Sequence, residues 1–559
     1  MKTLIPNNPI LEENYKSRVS IKLEDDTLPL EAEHMLYEYA KLLPKVDEEM
    51  NMRQALTQDK LFNRNFFNDL KTVLTAKQRK LQFPQDFMST LKELKNIIDC
   101  EKIAKDEEKK TEEYKKQQDY KKSLNMAIID DVKTKVNLTI EHSGIMIGRG
   151  DCKYNGCWKY TVKPQDIRIN VVGDKIRAKE LKALGYNVVS DKELSYVLSY
   201  SMIVGSNHIY NANKIVQLPK TSADGVKREQ HKFEVAIQLG KEYSTIMSQV
   251  FVDMKSKDIL TRENAMIVYL ISQSGIRVGG EKDEDIDNGT VGASTLNNDN
   301  VKLDNKYIYL DFIGKDSVHD KRTIEMLNDD IKNAFEYNKS LNNNKFFTKA
   351  TSITVNEYLK QWNKDYSAKK FRTYFGQKIL QDAMKQIKWS KDMSDKQFKN
   401  AYDSCVLAVA NQLNHKKTVS KSKQKETTAK TKQKLVDMKN KLSEDITKLE
   451  DKIDELDAKI KKTSDKEKLT VLKSKKKECK NKIADKKQKY NDTKEALTFK
   501  MDNMEVALNT SKANYSNPLI AMSLCNDMNK DPKLIYSKTL LEKFAWAKDA
   551  KKSYWKENI

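Results

Sequence analysis

Residues 435–472 read LVDMKNKLSEDITKLEDKIDELDAKIKKTSDKEKLTVL, and apolar side chains return in this stretch at intervals of three, four and seven residues. The first series comprises Leu435, Leu442, Ile446, Leu449, Ile453, Leu456 and Ile460. The second series follows a break at 463–465 and continues beyond the quoted stretch; it comprises Leu469, Leu472, Cys479, Ile483, Tyr490 and Leu497. Such spacing is typical of helices that pack along a seam, and Thr-Ser-Asp at the break offers a helix cap. The segment therefore predicts a two-helix antiparallel coiled-coil hairpin.

The positive charge of the chain is concentrated in the same region. Residues 421–500 hold 26 lysines and 15 acidic residues, a net +11, which is half of the formal +22 of the 559-residue chain. The hydrophobic fraction of 38% is low and the charged fraction of 33% is high for a globular protein. These values favour several domains with a long solvated element. They also favour a polyanionic partner, with nucleic acid as the first candidate and an anionic membrane as the second. The alternative for the whole chain is a lysine-rich protein without such a partner, and the alternative for the hairpin is a solvated spacer without a chemical role.

Several protein classes do not fit the sequence. No run of 18 apolar residues occurs, so no membrane-spanning helix is expected, and MKTLIPNNPILEEN lacks the apolar region of a secretory signal. The six scattered cysteines form no C-x-x-C pair and are typical of reduced thiols in an intracellular protein. The sequence has no GxxxxGK[ST], no HExxH and no GxGxxG that opens a helix, so ATP, zinc-protease and dinucleotide sites are not predicted.

The remaining sequence predicts a multidomain protein that is mainly α with minor β. Residues 1–30 are expected to form a loosely ordered tail and residues 101–125 a charged, solvated helix. From about residue 136, glycines and Pro164 separate short strand-like pieces such as NLTIEH and DIRINVV. Residues 301–326 predict three strands joined by two turns. Helical patterns occupy residues 31–94, the region from 222 through ENAMIVYLISQSG, and residues 355–415.

Five residues with cationic, imidazole or phenolic side chains stand in distinctive local contexts. They are Arg277 in SQSGIRVGGEKDE, Lys315 in a turn of LDFIGKDS, Arg372 in SAKKFRTYFGQ, His415 in NQLNHKK and Tyr515 in TSKANYSNP. Each is ordinary by itself, since an arginine in a helix usually forms a salt bridge and a tyrosine near a proline usually packs. Together, in this order, they resemble the active site of the eukaryotic-type DNA topoisomerase I family, the type IB topoisomerases.

The resemblance extends over nearly the whole chain from about Glu31. The segments that are similar to family segments, in family order, are FNRNFFNDLK, GRGDCKYNGCWKYTVKPQDI, VGGEKDE with TVG, DFIGKDS, FRTY, NH, TSKANY and IYSKTLLEKFAWA.

The resemblance implies a reaction and a role for each of the five residues. Tyr515 is the implied nucleophile, which forms a 3′-phosphotyrosyl bond and releases a 5′-hydroxyl, and Lys315 is the implied general acid for the leaving oxygen. Arg277 and Arg372 can hydrogen-bond the non-bridging phosphate oxygens that gather charge, and His415 can add a third donor. A free phenol ionises near pH 10, so nearby cations or a water must activate it. With this fixed positive charge, no metal ion, ATP or other cofactor is expected.

Further residues are implied in DNA binding. Arg149 in GRGDCK and Lys159 match family residues that approach DNA near the cleavage site, and Asp316 and Asn514 flank the implied acid and nucleophile. Lys369 occupies the position three residues before the second arginine. The combination of Arg149, Asp316 and Asn514 also implies sensitivity to a camptothecin-type inhibitor of the cleaved complex.

By the same resemblance, the fold is a monomeric clamp that encircles double-stranded DNA. It combines a cap, a tyrosine-recombinase-like catalytic domain and an antiparallel coiled-coil linker. The expected bounds are a tail at 1–30, a DNA-binding cap at 31–215 with protruding charged helices at about 101–130, a catalytic domain at 216–418, a linker hairpin at 419–500 and a C-terminal domain at 501–559.

Two other functions remain as alternatives. Tyrosine recombinases or integrases use a similar residue set, but typically have histidine where this chain has Lys369 and lack a charged linker of about 80 residues. A non-catalytic basic DNA-binding protein is the second alternative.

Three departures from the family pattern stand out. Ser516-Asn517-Pro518 follow the tyrosine where the family commonly has Leu-Asp-Pro, and Lys-Lys follows His415 instead of Gln-Arg. The family usually carries a long charged N-terminal extension with nuclear-import signals, and only about 30 residues precede the core in this sequence. A nuclear location is the expectation, with a viral particle or cytoplasmic viral factory as the alternative.

Overall fold

The computed structural model describes residues 1–17, 22–23, 26–44, 60–148, 152–205, 210–280, 290–315, 318–341, 343–417, 419 and 421–557. The chain divides into two units, the first built from Met1–Glu229 and the second from Gln230–Glu281 and Thr290–Ile559. The expectation of a multidomain, mainly helical protein with minor β structure is confirmed.

The helices and strands are numbered in chain order among the described residues. The helices are α1 Leu30–Ala40, α2 Lys60–Val73, α3 Met88–Glu108, α4 Glu112–Leu124, α5 Lys175–Ala183, α6 Ala223–Asp253, α7 Ile259–Ser274, α8 Asp329–Ser340, α9 Ser352–Lys360, α10 Ala368–Lys385, α11 Asp395–Gln412, α12 Lys421–Lys461, α13 Lys466–Asp502, α14 Leu508–Asn514, α15 Pro518–Met528, α16 Lys538–Lys543 and α17 Tyr554–Glu557. The strands are β1 Leu4–Pro6, β2 Lys22–Leu23, β3 Asp26–Thr27, β4 Met126–Ile129, β5 Val132–Lys135, β6 Gly144–Ile145, β7 Trp158–Lys159, β8 Ile167–Asn170, β9 Asn187–Val189, β10 Tyr196–Val204, β11 Tyr210–Gln217, β12 Val301–Leu303, β13 Tyr307–Gly314 and β14 Val318–Glu325.

The first unit contains two larger sheets. One has the order β1-β4-β5, and the other has the order β6-β7-β10-β8-β9 with β11 paired to β10. Strand β1 runs antiparallel to β4, with Leu4 opposite Ile129, and Leu4 is fully buried. The expected loosely ordered tail at residues 1–30 is therefore wrong for Leu4–Pro6. These apolar residues gain backbone hydrogen bonds and burial by adding an edge strand to the sheet.

The expectation of charged helices at about 101–130 holds except for its last residues. This segment contains the end of α3 and all of α4, separated near Thr111, whose hydroxyl accepts a hydrogen bond from the amide of Tyr114 at the start of α4. None of the side chains of α4 is buried, as expected for a solvated helix. The last part is not helical, because Met126–Ile129 forms β4 and places Ala127 and Ile129 in a core.

The core of the second unit is organised around α7. Every residue from Ala265 to Ile271 is at most 1% exposed, so this helix is buried on all sides. It packs beside the sheet β12-β13-β14, in which Ile308 pairs with Ile324 in an antiparallel register. The predicted pattern of three strands joined by turns is confirmed, and it places Lys315 directly after β13.

Helices α12 and α13 form a pair that we call the helix pair. Asp457 accepts a hydrogen bond from Lys476, and Lys486 lies 2.6 Å from Asp445, so residues nearer the connection pair first and the helices run antiparallel. The predicted break is confirmed, since Asp465 caps α13 by accepting from two backbone amides. The predicted apolar stripe faces the seam, where its members are half-buried or buried while most lysines stay exposed.

The base of the helix pair is attached to α11. Ser394, which caps α11, donates from Oγ to Asp492 Oδ2 over 2.6 Å, and Asp492 is buried.

All six cysteines are free thiols. No helix within the described ranges is both long enough and apolar enough to cross a membrane.

Candidate active site

Arg372 lies on α10 and is only 5% exposed. All three of its side-chain nitrogens donate hydrogen bonds: Nε to Gly275 O (2.6 Å), Nη2 to Leu413 O (2.6 Å) and Nη1 to Tyr515 Oη (2.8 Å). Burial lowers the pKa of Arg372 to about 10, which still leaves the guanidinium charged at neutral pH. Nη1 is therefore a fixed positive donor that points at the tyrosine hydroxyl.

The two carbonyl partners of Arg372 come from the ends of helices. Gly275 follows α7 in the left-handed conformation, with a φ of 65°, and Leu413 caps α11. Carbonyls at helix C-termini lack an intrahelical partner and carry the negative end of the helix dipole, so they suit a buried cation. A side chain at 275 would be strained at this φ, and its Cβ would come within 2.6 Å of the Phe375 ring.

Tyr515 caps the C-terminus of the short helix α14, and its amide donates to Ser511 O over 2.9 Å. The guanidinium carbon of Arg372 lies 5.1 Å from the centre of its ring. Gly376 lies on α10 one turn after Arg372, and a Cβ built at this glycine would be 3.0 Å from the Cβ of Tyr515. The backbone of α10 therefore lies directly against the tyrosine, and glycine permits this close approach.

The chain path explains how residues 100 positions apart come together. The chain leaves α11 through Asn414 and His415, passes along the helix pair and returns beside its own starting point. The returning segment forms a bridge between Lys416 and Val506, and Ala507 N donates to His415 O over 2.8 Å. Since α14 begins at Leu508, this bridge delivers Tyr515 to the side of His415.

The imidazole of His415 is buried against the tyrosine, with ring centroids 4.9 Å apart. Its Nδ1 lies 2.7 Å from Ser511 Oγ. Its Nε2 is buried and has no hydrogen-bond partner in the part of the chain that the structure describes. Burial, with the charges of Arg372 and Arg277, lowers the pKa of His415 to about 3, so the ring is neutral at physiological pH.

Arg277 follows α7 and is half-buried. Its carbonyl accepts from Ala293 N over 2.8 Å, and Gly279, with a φ of 83°, packs against the backbone of Gly292. The charge of Arg277 is among those that lower the pKa of His415. No ion pair of this guanidinium occurs among the described residues. We call Arg277, Arg372, His415 and Tyr515 the tyrosine cluster.

Lys315 is exposed and lies where β13 ends. The structure shows no contact between Lys315 and the tyrosine cluster within the residues it describes. The hairpin that carries Lys315 is nevertheless held to the His415 turn, because Asn414 Nδ2 donates to His319 O over 3.2 Å. Arg322 on β14 adds a second tie, from Nη1 to Gln412 O at 2.6 Å.

The sequence pattern did not predict that Arg322 belongs to the surroundings of the site. This arginine is nearly buried, and its Nε donates to Asp320 Oδ1 over 2.6 Å. The alternation of the strand residues DKR gives no signal of this role, because the contact to Gln412 depends on a segment 90 residues away.

The residues expected to bind DNA have different surroundings. Lys159 lies in the first unit, where Nζ is 2.7 Å from Glu141 Oε1. Lys369 is exposed on α10, and Asn514 is half-buried and donates to Thr510 O over 3.1 Å. Arg149 and Asp316 lie outside the described residues.

Lys512 is a further buried residue of the segment TSKANY. It is 4% exposed, and its Nζ lies 2.5 Å from Asp403 Oδ1 on α11 and 2.8 Å from Ile535 O. The contact fastens α14, and with it Tyr515, to the core of the second unit.

Three family descriptions match successive parts of the chain. The family description "Eukaryotic DNA topoisomerase I, catalytic core" matches residues 220–453, "Eukaryotic DNA topoisomerase I, DNA binding fragment" matches residues 1–213, and "C-terminal topoisomerase domain" matches residues 487–557.

Curated relatives match over most of the chain. The chain is 28% identical to "DNA topoisomerase I, mitochondrial" of Rattus norvegicus over 532 residues, which cover 93% of this chain and 85% of the relative. It is also 28% identical to "DNA topoisomerase 1" of Homo sapiens over 534 residues, 91% of this chain and 67% of the relative. The chain therefore belongs to the eukaryotic DNA topoisomerase I family and is a type I DNA topoisomerase, an isomerase that acts on DNA.

Proposed function

We propose that the protein relaxes positive and negative supercoils by the type IB reaction, in which one strand is cut, rotates and is resealed. The observation that carries this proposal is the 2.8 Å hydrogen bond from Arg372 Nη1 to Tyr515 Oη inside a cluster that also holds His415 and Arg277. A tyrosine hydroxyl held by a fixed cation, beside a neutral imidazole whose Nε2 has no partner among the described residues, is suited to attack on a phosphodiester.

In the cleavage step, the phenol oxygen of Tyr515 attacks the phosphorus and the bond to the 5′ oxygen breaks. A 3′-phosphotyrosyl bond replaces it, so one ester is exchanged for another. The proton lost by the phenol passes to water or a nearby base, and Lys315 donates a proton to the departing 5′ oxygen. Attack by that 5′-hydroxyl on the phosphotyrosine reverses each change and reseals the strand.

The positive charge of the cluster is suited to the transition state. Two non-bridging oxygens of the phosphate gain negative charge as the tyrosine attacks, and arginines can hydrogen-bond them in a fixed geometry. Arg277 and Arg372 take this role, and His415 contributes a neutral donor. The phosphotyrosine conserves the ester that religation needs, so we expect activity without ATP and without a required metal ion.

We further propose that the protein is a monomeric clamp on duplex DNA, as the family resemblance implies. Residues 31–215 form the cap, 216–418 the catalytic domain, 419–500 a coiled-coil linker and 501–559 the C-terminal domain. Arg149, Lys159, Asp316, Lys369 and Asn514 contact DNA near the cleavage site. Most contacts are to phosphates, so binding is weakly sequence-selective and falls steeply with salt.

Plasmid relaxation in EDTA without ATP tests the proposal. Wild-type protein is expected to relax both supercoil signs, and denaturation during turnover should leave protein attached to a 3′ DNA end. Tyr515→Phe should bind DNA but neither relax it nor become attached. Tyr337→Phe is the matched control, since Tyr337 is an exposed tyrosine on α8 in the same unit.

Three outcomes would contradict the proposal. Relaxation by Tyr515→Phe would exclude this nucleophile, and DNA binding by wild-type protein without relaxation would indicate a non-catalytic DNA-binding protein. Efficient joining of two separate duplexes would indicate a recombinase.

Inhibition and localisation are further parts of the proposal. A camptothecin-type compound is expected to slow religation and accumulate the attached species, and unchanged religation would refute this. We place the protein in the nucleus, with a viral particle or cytoplasmic viral factory as the alternative. The mitochondrion is a further alternative, because some relatives have the word "mitochondrial" in their names. A fluorescent fusion of the full chain, imaged in cells of the source organism, distinguishes these locations.

A further inference from the structure

The hydroxyl of Ser511 is placed against the one imidazole of the tyrosine cluster. Ser511 lies on α14 one turn before Tyr515, is fully buried, and has its Oγ 2.7 Å from His415 Nδ1. Among the described residues, Oγ has no other hydrogen-bond partner. The other ring nitrogen, Nε2, is buried and unpaired on the described part of the chain.

Two arrangements of hydrogens are compatible with this contact while the ring is neutral. In the first, Ser511 donates its O–H to Nδ1 and the ring carries its proton on Nε2. In the second, Nδ1 carries the proton and donates to Oγ, which leaves the buried O–H of Ser511 without an acceptor. The first arrangement leaves one fewer buried polar group unpaired, so it is favoured before DNA binds.

The same choice matters when a phosphate is present. With the proton on Nε2, His415 presents an N–H to an anionic oxygen and can stabilise charge that develops on it. With the proton on Nδ1, the ring presents a lone pair to that oxygen, and the contact is repulsive. Among the described residues, Arg372 and Arg277 lower the pKa of the ring and Tyr515 packs against it, and none of the three is hydrogen-bonded to either ring nitrogen.

We propose that Ser511 is a positioning residue that holds His415 in the neutral tautomer protonated on Nε2, so that His415 acts as a hydrogen-bond donor toward phosphate. The chemical consequence rests on the proposed function, whereas the tautomer itself can be measured without any reaction. The assignment also explains why a serine rather than an apolar residue fills a fully buried position in TSKANY.

The test is nitrogen NMR of the full-length protein labelled with ¹⁵N-histidine. The chain has six histidines, and comparison with His415→Gln assigns the two signals of His415. Wild-type protein at pH 7 is expected to show a protonated Nε2 and an unprotonated Nδ1. Ser511→Ala should shift both signals toward each other, because loss of the hydroxyl lets the two tautomers exchange.

Ser516→Ala is the matched control for the tautomer. Ser516 is also a fully buried serine beside Tyr515, but its Oγ is directed to Ser511 O and not to the imidazole. This variant should leave the two His415 signals at their wild-type positions. A protonated Nδ1 in wild-type protein, or unchanged signals in folded Ser511→Ala, would overturn the proposal.

Kinetics give a second readout. Ser511→Ala is expected to lower the single-turnover cleavage rate about ten- to a hundredfold with little change in DNA affinity. Ser511→Thr, which retains a hydroxyl, should restore both the rate and the NMR signature if the added methyl is accommodated. Loss of the tautomer without loss of rate would refute the positioning role.

The result separates this inference from the proposed function. An inactive Tyr515→Phe together with a protonated Nδ1 would overturn the inference alone. An active Tyr515→Phe together with a protonated Nε2 would overturn the proposed reaction and leave the tautomer assignment standing.

Discussion

The tyrosine cluster and the helix pair use positive charge in opposite ways. The cluster buries Arg372 to 5% exposure and gives each of its three side-chain nitrogens a hydrogen-bond partner, whereas the helix pair spreads a net +11 of residues 421–500 over a mostly solvated surface. A buried guanidinium is held in one geometry and is costly to move, while an exposed lysine is screened and replaceable. The placement of a charge therefore decides its chemistry, and the number of charges decides how strongly the protein is drawn to a polyanion.

The largest expected effect comes from replacing the buried charge with one of the same sign. In Arg372→Lys the ammonium cannot reach Gly275 O, Leu413 O and Tyr515 Oη together, because it lacks the planar fork. We expect the relaxation rate to fall about 10²- to 10³-fold with DNA affinity nearly unchanged. Lys385→Arg, an exposed charge-conserving change on the same helix, is the control. A loss smaller than threefold would mean that charge alone suffices at this position.

The next effect tests geometry without any change of charge. Gly376→Ala adds a methyl group 3.0 Å from the Cβ of Tyr515, so the tyrosine must move, although alanine favours the helix by about 1 kcal/mol. We expect about tenfold slower relaxation at an equal or higher melting temperature. Gly280→Ala, where a Cβ meets no atom of the described residues within 4 Å, should have little effect. Wild-type activity in Gly376→Ala would show that the tyrosine tolerates displacement.

A smaller effect is expected from the exposed lysines. Four of them lie seven residues apart on α13 and form no ion pair among the described residues: Lys473, Lys480, Lys487 and Lys494. Changing all four to Gln should lower relaxation two- to fivefold, roughly, at moderate salt, and reduce the salt slope of DNA binding by about 1 for each lysine that contacts a phosphate. The same four changes to Arg should restore both values. A hundredfold loss would mean that the helix pair takes part in the chemical step.

The smallest effect concerns stability and pH. An unfolded histidine ionises near pH 6.5, and the pKa of His415 is lowered to about 3 by burial and the charges of Arg372 and Arg277. As the pH falls below 6.5, His415 takes up a proton in the unfolded state but not in the folded state. Its contribution to the free energy of unfolding, which is fully present above pH 6.5, is therefore lost progressively toward pH 3. The loss from this group between pH 8 and pH 5.5 is about 1.4 kcal/mol.

Denaturant unfolding of wild-type protein and His415→Gln at both pH values measures this contribution. The variant should lose less stability on acidification than the wild type by about that amount. Equal losses in the two proteins would show that the imidazole is accessible to solvent in the folded state.

Local sequence patterns predicted much of the fold and part of the site. The apolar stripe of the helix pair, its cap at Asp465 and the strands around Lys315 are each determined by residues close in sequence. Arg372, His415 and Tyr515 became candidates because their local contexts and order resemble the active site of the type IB topoisomerase family. What could not be predicted was the set of contacts that hold them, because each depends on distant segments meeting.

Three residues illustrate that limit. Ser511 meets His415 across 96 positions, and Arg322 meets Gln412 across 90. Gly376 looks like an ordinary helix-weakening residue until the tyrosine is packed against it. The prediction for Leu4–Pro6 was wrong for a related reason, because the strand that pairs with these residues begins more than 100 residues later.

The bridge between Lys416 and Val506 also has a mechanical meaning. Helix α12 has 41 residues and extends about 60 Å from this bridge at 1.5 Å per residue. It therefore works as a long lever whose fulcrum lies between His415 and the helix that carries Tyr515. We expect a sideways force at the far end, such as drag from a turning duplex, to act on this fulcrum as a torque. In the reaction proposed above, strand rotation would then be coupled to the reacting groups through the backbone itself.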